Sequence, residues 1–283
     1  MIDDVLRTAA QDIDPLDASI ILAHVLARPR EYVITHGDEL VSRVNRFRFA
    51  RLVKKRARGV PIAYLTGHKE FFGLDFFVNA ATLIPRPDTE ALVEAALREM
   101  RRQKNKRLVL IDVGTGTGCI PISILKNLHE TVSMVIAIDI SRSALRVAKR
   151  NARRHDAKIT FLNGNLLRPL LQKLPFPPKN STAFITANLP YLTQEQFAAE
   201  PSIQHEPERA LVAENRGLAL YETLITQLQE IVKKNHFALN CFFEIDPSQS
   251  ARITAAIQAA FPHASIEIKT DLANRDRVVA CIL

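Results

Sequence analysis

Residues 107–119 read Arg-Leu-Val-Leu-Ile-Asp-Val-Gly-Thr-Gly-Thr-Gly-Cys. The run is apolar except for its ends and Asp112, and it stops abruptly at alternating glycines. A strand that ends in glycines and leads into a helix marks the first turn of an open α/β sheet, where such sheets seat a nucleotide-like ligand. Glycine lets the backbone approach a ligand with no Cβ in the way. The spacing is Gly114-Thr115-Gly116-Thr117-Gly118 followed by Cys119, which is not the Gly-x-Gly-x-x-Gly of a dinucleotide fingerprint.

Downstream, strand and helix alternate. Strands are expected at 107–113, 132–139, 158–163, 182–188, 236–245, 265–270 and 277–283, with helices at 118–129, 141–154, 217–234 and 247–260. This predicts a doubly wound, mostly parallel, seven-stranded sheet with helices on both faces. The short link at 271–276 suits antiparallel pairing of the last two strands. Residues 174–181, with three prolines, read as a loop.

Asp139 closes the second strand, where an acid accepts hydrogen bonds from ribose hydroxyls. Asp112 stands before the glycine loop, placed to hold the ligand's amino acid end or to order the loop. A ribose ligand without a pyrophosphate fits this pair, and S-adenosylmethionine is the leading candidate cofactor. The fourth strand ends in Asn188-Leu189-Pro190-Tyr191. An amide or aromatic amine nitrogen is a poor nucleophile because its lone pair is delocalised. The Asn188 side-chain oxygen and the Leu189 carbonyl can take its two protons, Pro190 stiffens the loop, and the Tyr191 ring offers a face for a flat group.

Upstream, Glu90 and its neighbours follow Leu-Ile-Pro-Arg-Pro at 83–87, where two prolines hold Arg86 in an extended segment. Arg86 and Pro87 are read as substrate-positioning residues, and Asp88 or Thr89 as the cap of a helix through Met100. The aromatic stretch at 69–78 reads as a hairpin or connector. Residues 15–27 and 47–57 carry helical periodicity, the second with a basic outer face, and Gly59 and Pro61 end it. The divisions are a helical domain at 1–66, a hairpin connector at 67–90 and an α/β domain at 91–283.

The net charge is +8, with seven basic residues and no acid at 46–58 and six basic residues at 98–107. These runs are either a patch for an acidic partner or two solvated helix faces. The acidic start, with Asp3, Asp4, Asp12, Asp14 and Asp17, argues against a secretory or transit peptide. No apolar run approaches the roughly 20 residues of a spanning helix. The expected location is the cytoplasm. Cys119, Cys241 and Cys281 form no CxxC pair, and no metal site is expected.

Three segments, Leu-Ile-Pro-Arg-Pro-Asp-Thr-Glu (83–90), Asp-Val-Gly-Thr-Gly-Thr-Gly-Cys (112–119) and Asn-Leu-Pro-Tyr (188–191), resemble the peptide chain release factor glutamine N5-methyltransferases. Gly-His-Lys-Glu-Phe-Phe-Gly (67–73), Glu-Pro-Glu-Arg-Ala-Leu (206–211) and Asp-Arg-Val-Val (276–279) extend the resemblance over nearly the whole chain. The resemblance implies methylation of the glutamine in the Gly-Gly-Gln loop of class 1 release factors, with the helices of 1–66 recognising that partner. Two positions depart from the family pattern. Leu189 stands where proline is usual; because the acceptor there is a carbonyl, Leu189→Pro is expected to be tolerated. Asn165 stands where the family has an acid for the adenine amino group; Asn165 and Leu166 are assigned to the cofactor, and Asn188 to the cofactor as well as to the target nitrogen.

Two other functions share these residues. Asn-Leu-Pro-Tyr also resembles the rRNA adenine dimethyltransferases, so an N6-adenine methyltransferase of rRNA or DNA is the first alternative. The Pro-Arg-Pro segment and the N-terminal helices argue against it, and nucleic acid is not the expected partner. A non-catalytic cofactor-binding assembly factor is the second, and it has no use for the acceptors at Asn188 and Leu189.

Overall fold

The structure is a computed structural model that describes residues 1–103, 107–128, 132–172, 181–234, 239–271 and 273–283. Residues 174–180 of the loop read at 174–181, the start of the strand read at 236–245, residue 129 of a helix, residue 272 of the last link and 104–106 of a basic run lie outside these residues, while Ser181 already belongs to a strand. The chain divides into two compact units, residues 1–68 with 201–205, and residues 69–200 with 206–283.

The first unit is helical: α1 (Ile2–Ala9), α2 (Pro15–Leu26), α3 (Arg30–Thr35), α4 (Arg43–Arg56) and α5 (Ile62–Thr66). Asp14 caps α2 by accepting from the Leu16 N–H, and Pro15 occupies the first turn, where its missing N–H costs nothing. Ser42 accepts from the Asn45 N–H and so starts α4 a turn before the periodic stretch at 47–57. Ile2, Ile21, Leu22 and Val33 are fully buried, joined by Phe49 and Val53 of α4. Phe47 points the other way and is 73% exposed. In the basic run, Arg56 is committed to Asp17 at 2.6 Å.

The second unit opens with a hairpin, β1 (His68–Phe71) and β2 (Leu74–Phe77). Its two turn residues, Phe72 and Gly73, both have positive φ, the geometry that matches strand twist in a two-residue turn. A 3-10 turn at Pro87–Thr89 runs straight into α6 (Glu90–Arg102). This corrects the expected cap: Thr89 is already helical and neither it nor Asp88 caps the helix. Their side chains are drawn elsewhere, Asp88 to Arg277 at 3.0 Å and Thr89 to Asn188 at 3.1 Å.

Then follow β3 (Arg107–Val113), α7 (Cys119–Leu128), β4 (Val132–Asp139), α8 (Arg142–Arg154), β5 (Thr160–Asn163), α9 (Arg168–Leu171), β6 (Ser181–Ala187), α10 (Gln194–Ala199), α11 (Glu214–Gly217), α12 (Ala219–Lys234), β7 (Leu239–Glu244), α13 (Ser250–Ala260), β8 (Ser265–Thr270) and β9 (Asp276–Ile282). The described strands form a seven-stranded sheet in the order β5-β4-β3-β6-β7-β9-β8. All pairs are parallel except β7 with β9 and β8 with β9. β6 is buried along its whole length and β3 beyond its first residue, which is why neither shows the strict polar–apolar alternation of a half-buried strand. Two cores flank the sheet: one centred on Ile111, Ile185, Tyr221 and Phe243, the other on Leu110, Phe184, Leu92 and Met100. The helix read at 217–234 starts at Ala219, because Asn215, Arg216 and Gly217 all have left-handed backbone. No helix among the described residues is long and apolar enough to cross a membrane.

Candidate active site

From β3 the chain moves to β4 on one side and later returns to β6 on the other. The C-terminal ends of β3 and β6 therefore border the switch point, where α/β sheets open a ligand crevice. Register pairs Val113 with Ala187, so the glycine loop and the Asn188 loop leave the sheet side by side. They touch: a Cβ on Gly114 would lie 2.9 Å from Leu189 Cδ2. Among the described residues only the Gly114 oxygen comes within 4.0 Å of such an atom on Gly116, which leaves room for a ligand against the backbone. The loop is closed by the Gly118 N–H donating to the Thr115 carbonyl at 2.8 Å, and Thr117 Oγ1 accepts from the Cys119 N–H at 3.3 Å.

Asp139 braces this loop. Its two carboxyl oxygens accept from the N–H groups of Gly116 at 2.9 Å and Ser141 at 2.8 Å. Burial raises its pKa while these two N–H groups and Arg209 oppose the rise. Each oxygen keeps a second lone pair. Asn165 is exposed, whereas Leu166 beside it is buried with φ of 50°.

Asp112 has no exposed surface. Its Oδ1 accepts from Thr186 Oγ1 at 2.7 Å, while its Oδ2 and the buried Thr115 Oγ1 make no hydrogen bond of ordinary geometry among the described residues. Burial pushes the carboxyl up to about 6, with the Thr115 and Thr186 hydroxyls acting the other way. From its ordinary value of 3.8 up to about 6, the folded chain holds a proton that the unfolded chain has released. Stability is therefore lost as pH rises through that window and the loss is complete above it. Neutral Asp112→Asn should stabilise the chain by about 2–3 kcal/mol at pH 7.5 and by almost nothing at pH 3. Equal gains in Tm at both pH values would refute this assignment.

Asn188 Nδ2 donates to Thr89 Oγ1 at 3.1 Å, and no described group donates to its Oδ1. The Leu189 side chain is buried, and its N–H donates to the Tyr221 hydroxyl at 3.2 Å. That hydroxyl donates in turn to the Glu244 carbonyl. Tyr191 is held at both ends: its hydroxyl donates to Glu244 Oε1 at 3.4 Å, and its carbonyl accepts from Gln249 Nε2 at 3.0 Å. Burial, then the Glu244 charge, drive the Tyr191 pKa up, so the hydroxyl stays protonated as a donor. The reading of Leu189→Pro needs correction, because a proline removes the N–H that Tyr221 accepts. The variant should lose about 1 kcal/mol, and the penalty should shrink in a Tyr221→Phe background when Tm values are compared in a double-mutant cycle.

Arg86 pairs with the buried carboxylate of Glu206, which also accepts from the Ile84 N–H at 2.9 Å. Pro87 opens the 3-10 turn that delivers Thr89. Glu206, Thr89, Tyr221, Glu244, Gln249 and Arg277 escaped the sequence reading as site residues. Thr89, Glu206 and Arg277 lay in segments quoted for the resemblance without a role of this kind, and Glu244 showed itself only as an acid closing the apolar run Cys-Phe-Phe.

The residues suit S-adenosylmethionine: a backbone loop with open space over Gly116, an acid at the end of β4, and an orphaned buried carboxyl oxygen on Asp112 next to that loop. Beside them stands an amide oxygen with nothing donating to it among the described residues. Such a site can hold a methyl donor and accept hydrogen bonds from the N–H groups of a planar nitrogen.

Comparison with known proteins adds three findings. A family model described as the PrmC N-terminal domain matches residues 2–67, and one described as a methyltransferase domain matches residues 110–201. A release factor glutamine methyltransferase of Bacillus anthracis is 34% identical over 266 residues, covering 92% of this chain and 89% of that protein. Another, of Enterococcus faecalis, is 40% identical over 220 residues, covering 77% and 74%. Among solved structures, the hMettl16 catalytic domain in complex with MAT2A 3'UTR hairpin 1 is similar with a TM-score of 0.54 at 15% identity, covering 85% of this chain and 80% of that one. That last likeness concerns the fold alone.

Proposed function

The chain belongs to the release factor glutamine methyltransferase family, and on that premise we propose that it methylates the side-chain amide nitrogen of the glutamine in the Gly-Gly-Gln loop of class 1 release factors. When bound, S-adenosylmethionine supplies the methyl group. The glycine loop at Gly114, Thr115, Gly116, Thr117 and Gly118, with Asp112, Asp139, Asn165 and Leu166, would hold it.

The observation that carries the reading is the orientation of Asn188, whose Nδ2 is spent on Thr89. Its Oδ1 is left to accept one N–H of the target amide, and the Leu189 carbonyl accepts the other. Taking both protons out of the amide plane withdraws the nitrogen lone pair from resonance. Pro190 limits the backbone freedom of that carbonyl. Tyr191, tethered at both ends, gives the amide plane a fixed surface, and fixing the plane supplies rate. Arg86, tied to Glu206, and Pro87 act by holding the segment that carries Thr89.

The helices of residues 1–66 are assigned to recognition of the release factor, and the reading places the chain in the cytoplasm with that substrate. The test is incubation with labelled cofactor and a purified class 1 release factor, then with rRNA, followed by locating the label. Label on the glutamine is expected. Label on rRNA alone, with affinity falling steeply with salt as phosphate contacts require, would replace this reading with the adenine one.

A further inference from the structure

Glu244 ends β7 with a carboxyl that has no exposed surface. A buried carboxylate is costly unless its partners are well placed, yet among the described residues Oε2 makes no hydrogen bond of ordinary geometry. Tyr191 donates to Oε1. The Thr89 hydroxyl faces the same carboxyl and is the first of the groups that favour its charged form, ahead of Arg277 and Tyr191.

We propose that Glu244 is a positioning residue that acts through the Thr89 hydroxyl to fix which end of the Asn188 amide meets the target nitrogen. The inference rests on the role given to Asn188 above. A hydroxyl has one proton. With a carboxylate on one side, the Thr89 proton goes to Glu244 and its lone pairs face Asn188. Only the Nδ2 end of the amide can then meet Thr89, as it does at 3.1 Å. The two ends of an Asn amide have nearly the same shape, so packing alone does not choose between them. A flipped Asn188 would set its own N–H groups against those of the target. Because Glu244 also receives the Tyr191 hydroxyl, the acceptor and the stacking face take their orientation from one carboxylate.

Burial pushes Glu244 up to about 7, with Asp88 adding to the rise and Thr89, Arg277 and Tyr191 opposing it. A protonated Glu244 can donate to Thr89, which frees the Thr89 proton for Asn188 and permits the flipped amide. Turnover should thus fall as pH drops through about 7. The other charged and titratable groups around this carboxyl are Asp88, Asp246, Asp271, Arg277, Tyr191, Tyr221 and Cys119. Asp271 is held down to about 2, chiefly by the Arg275 N–H. Burial drives Tyr191 and Tyr221 upward and Cys119 to about 12, so they stay neutral. Asp112, at about 6, is the group whose own limb must be told apart, and the variants do this.

The experiment is methylation of a release factor across pH by the wild type, Thr89→Val, Thr89→Ser and Glu244→Gln, with cofactor affinity measured by calorimetry. Thr89→Val and Glu244→Gln should lower kcat about 10- to 100-fold and lose the limb near pH 7, with cofactor affinity within about twofold of wild type. Thr89→Ser, which keeps the hydroxyl, should restore both rate and limb. The Thr89 pair carries the test even where Glu244→Gln fails to fold. A folded Thr89→Val with wild-type kcat and pH profile, or a Thr89→Ser as slow as Thr89→Val, would overturn this inference alone. A wild type that leaves the release factor unlabelled would overturn the functional reading and the inference with it.

Discussion

Asn188→Ala is expected to slow single-turnover methylation of a release factor by at least about 100-fold, the scale on which one preorganised hydrogen-bond partner acts in a transition state. Cofactor affinity should change little, because Asn188 Oδ1 is assigned to the target nitrogen. The side chain is only partly buried, so the small void left by alanine costs little stability and the loss should fall on rate. The Thr89 hydroxyl loses its donor, but it still lies beside the Glu244 carboxyl whose charge it favours. A near-normal rate with intact folding would make this loop ordinary structure and remove the catalytic assignment.

The parts that were legible in the sequence are those whose cause is local. β3 and β6 lie among parallel strands, covered on both faces, and so lack the polar–apolar alternation of a half-buried strand. Gly114 follows β3 because the chain turns there with φ of 74°, a backbone conformation that favours glycine. Asp139 was legible as a residue but only half legible in its use, since it also braces the Gly116 N–H. The missed parts are long-range. Thr89 meets Asn188 across 99 residues, and Arg86 meets Glu206 across 120. No periodicity or spacing encodes such pairs. The resemblance quoted the segments around 83–90, 206–211 and 276–279 separately, and the structure ties them together. Ile84 and Arg86 hold Glu206, Asp88 holds Arg277, Thr89 holds Asn188, and Glu90 accepts from the Phe72 N–H. The Pro-Arg-Pro-Asp-Thr-Glu segment is thus a row of tethers that ends at the acceptor amide. The short helices α1, α3 and α5 were missed because they span too few turns to show a period.

Gly217 carries the second large effect, and its place in a left-handed turn before α12 was hidden from periodicity. Its φ is 81°, and a Cβ there would lie 1.9 Å from the Tyr191 oxygen and 2.5 Å from Gln249 Nε2. A clash with main chain cannot be relieved by a rotamer change. Tyr191 is not free to retreat, because Leu192 bonds on either side to Leu211 at 2.9 Å and Ala213 at 3.0 Å. Gly217→Ala should therefore cost about 2–4 kcal/mol, combining left-handed strain with overpacking. In whatever fraction folds, the displaced Tyr191 carbonyl should lower turnover by about 10-fold or more, since the target amide is no longer held in one plane. Gly73 is the control: its φ is 73°, but nothing among the described residues lies within 4 Å of the added atom. Gly73→Ala should show only the strain, about 1–2 kcal/mol, with turnover unchanged. Denaturant unfolding and single-turnover rates for the two variants separate strain from clash. Equal stability losses and equal rates would mean that Gly217 serves the turn alone and that Tyr191 is positioned by other contacts.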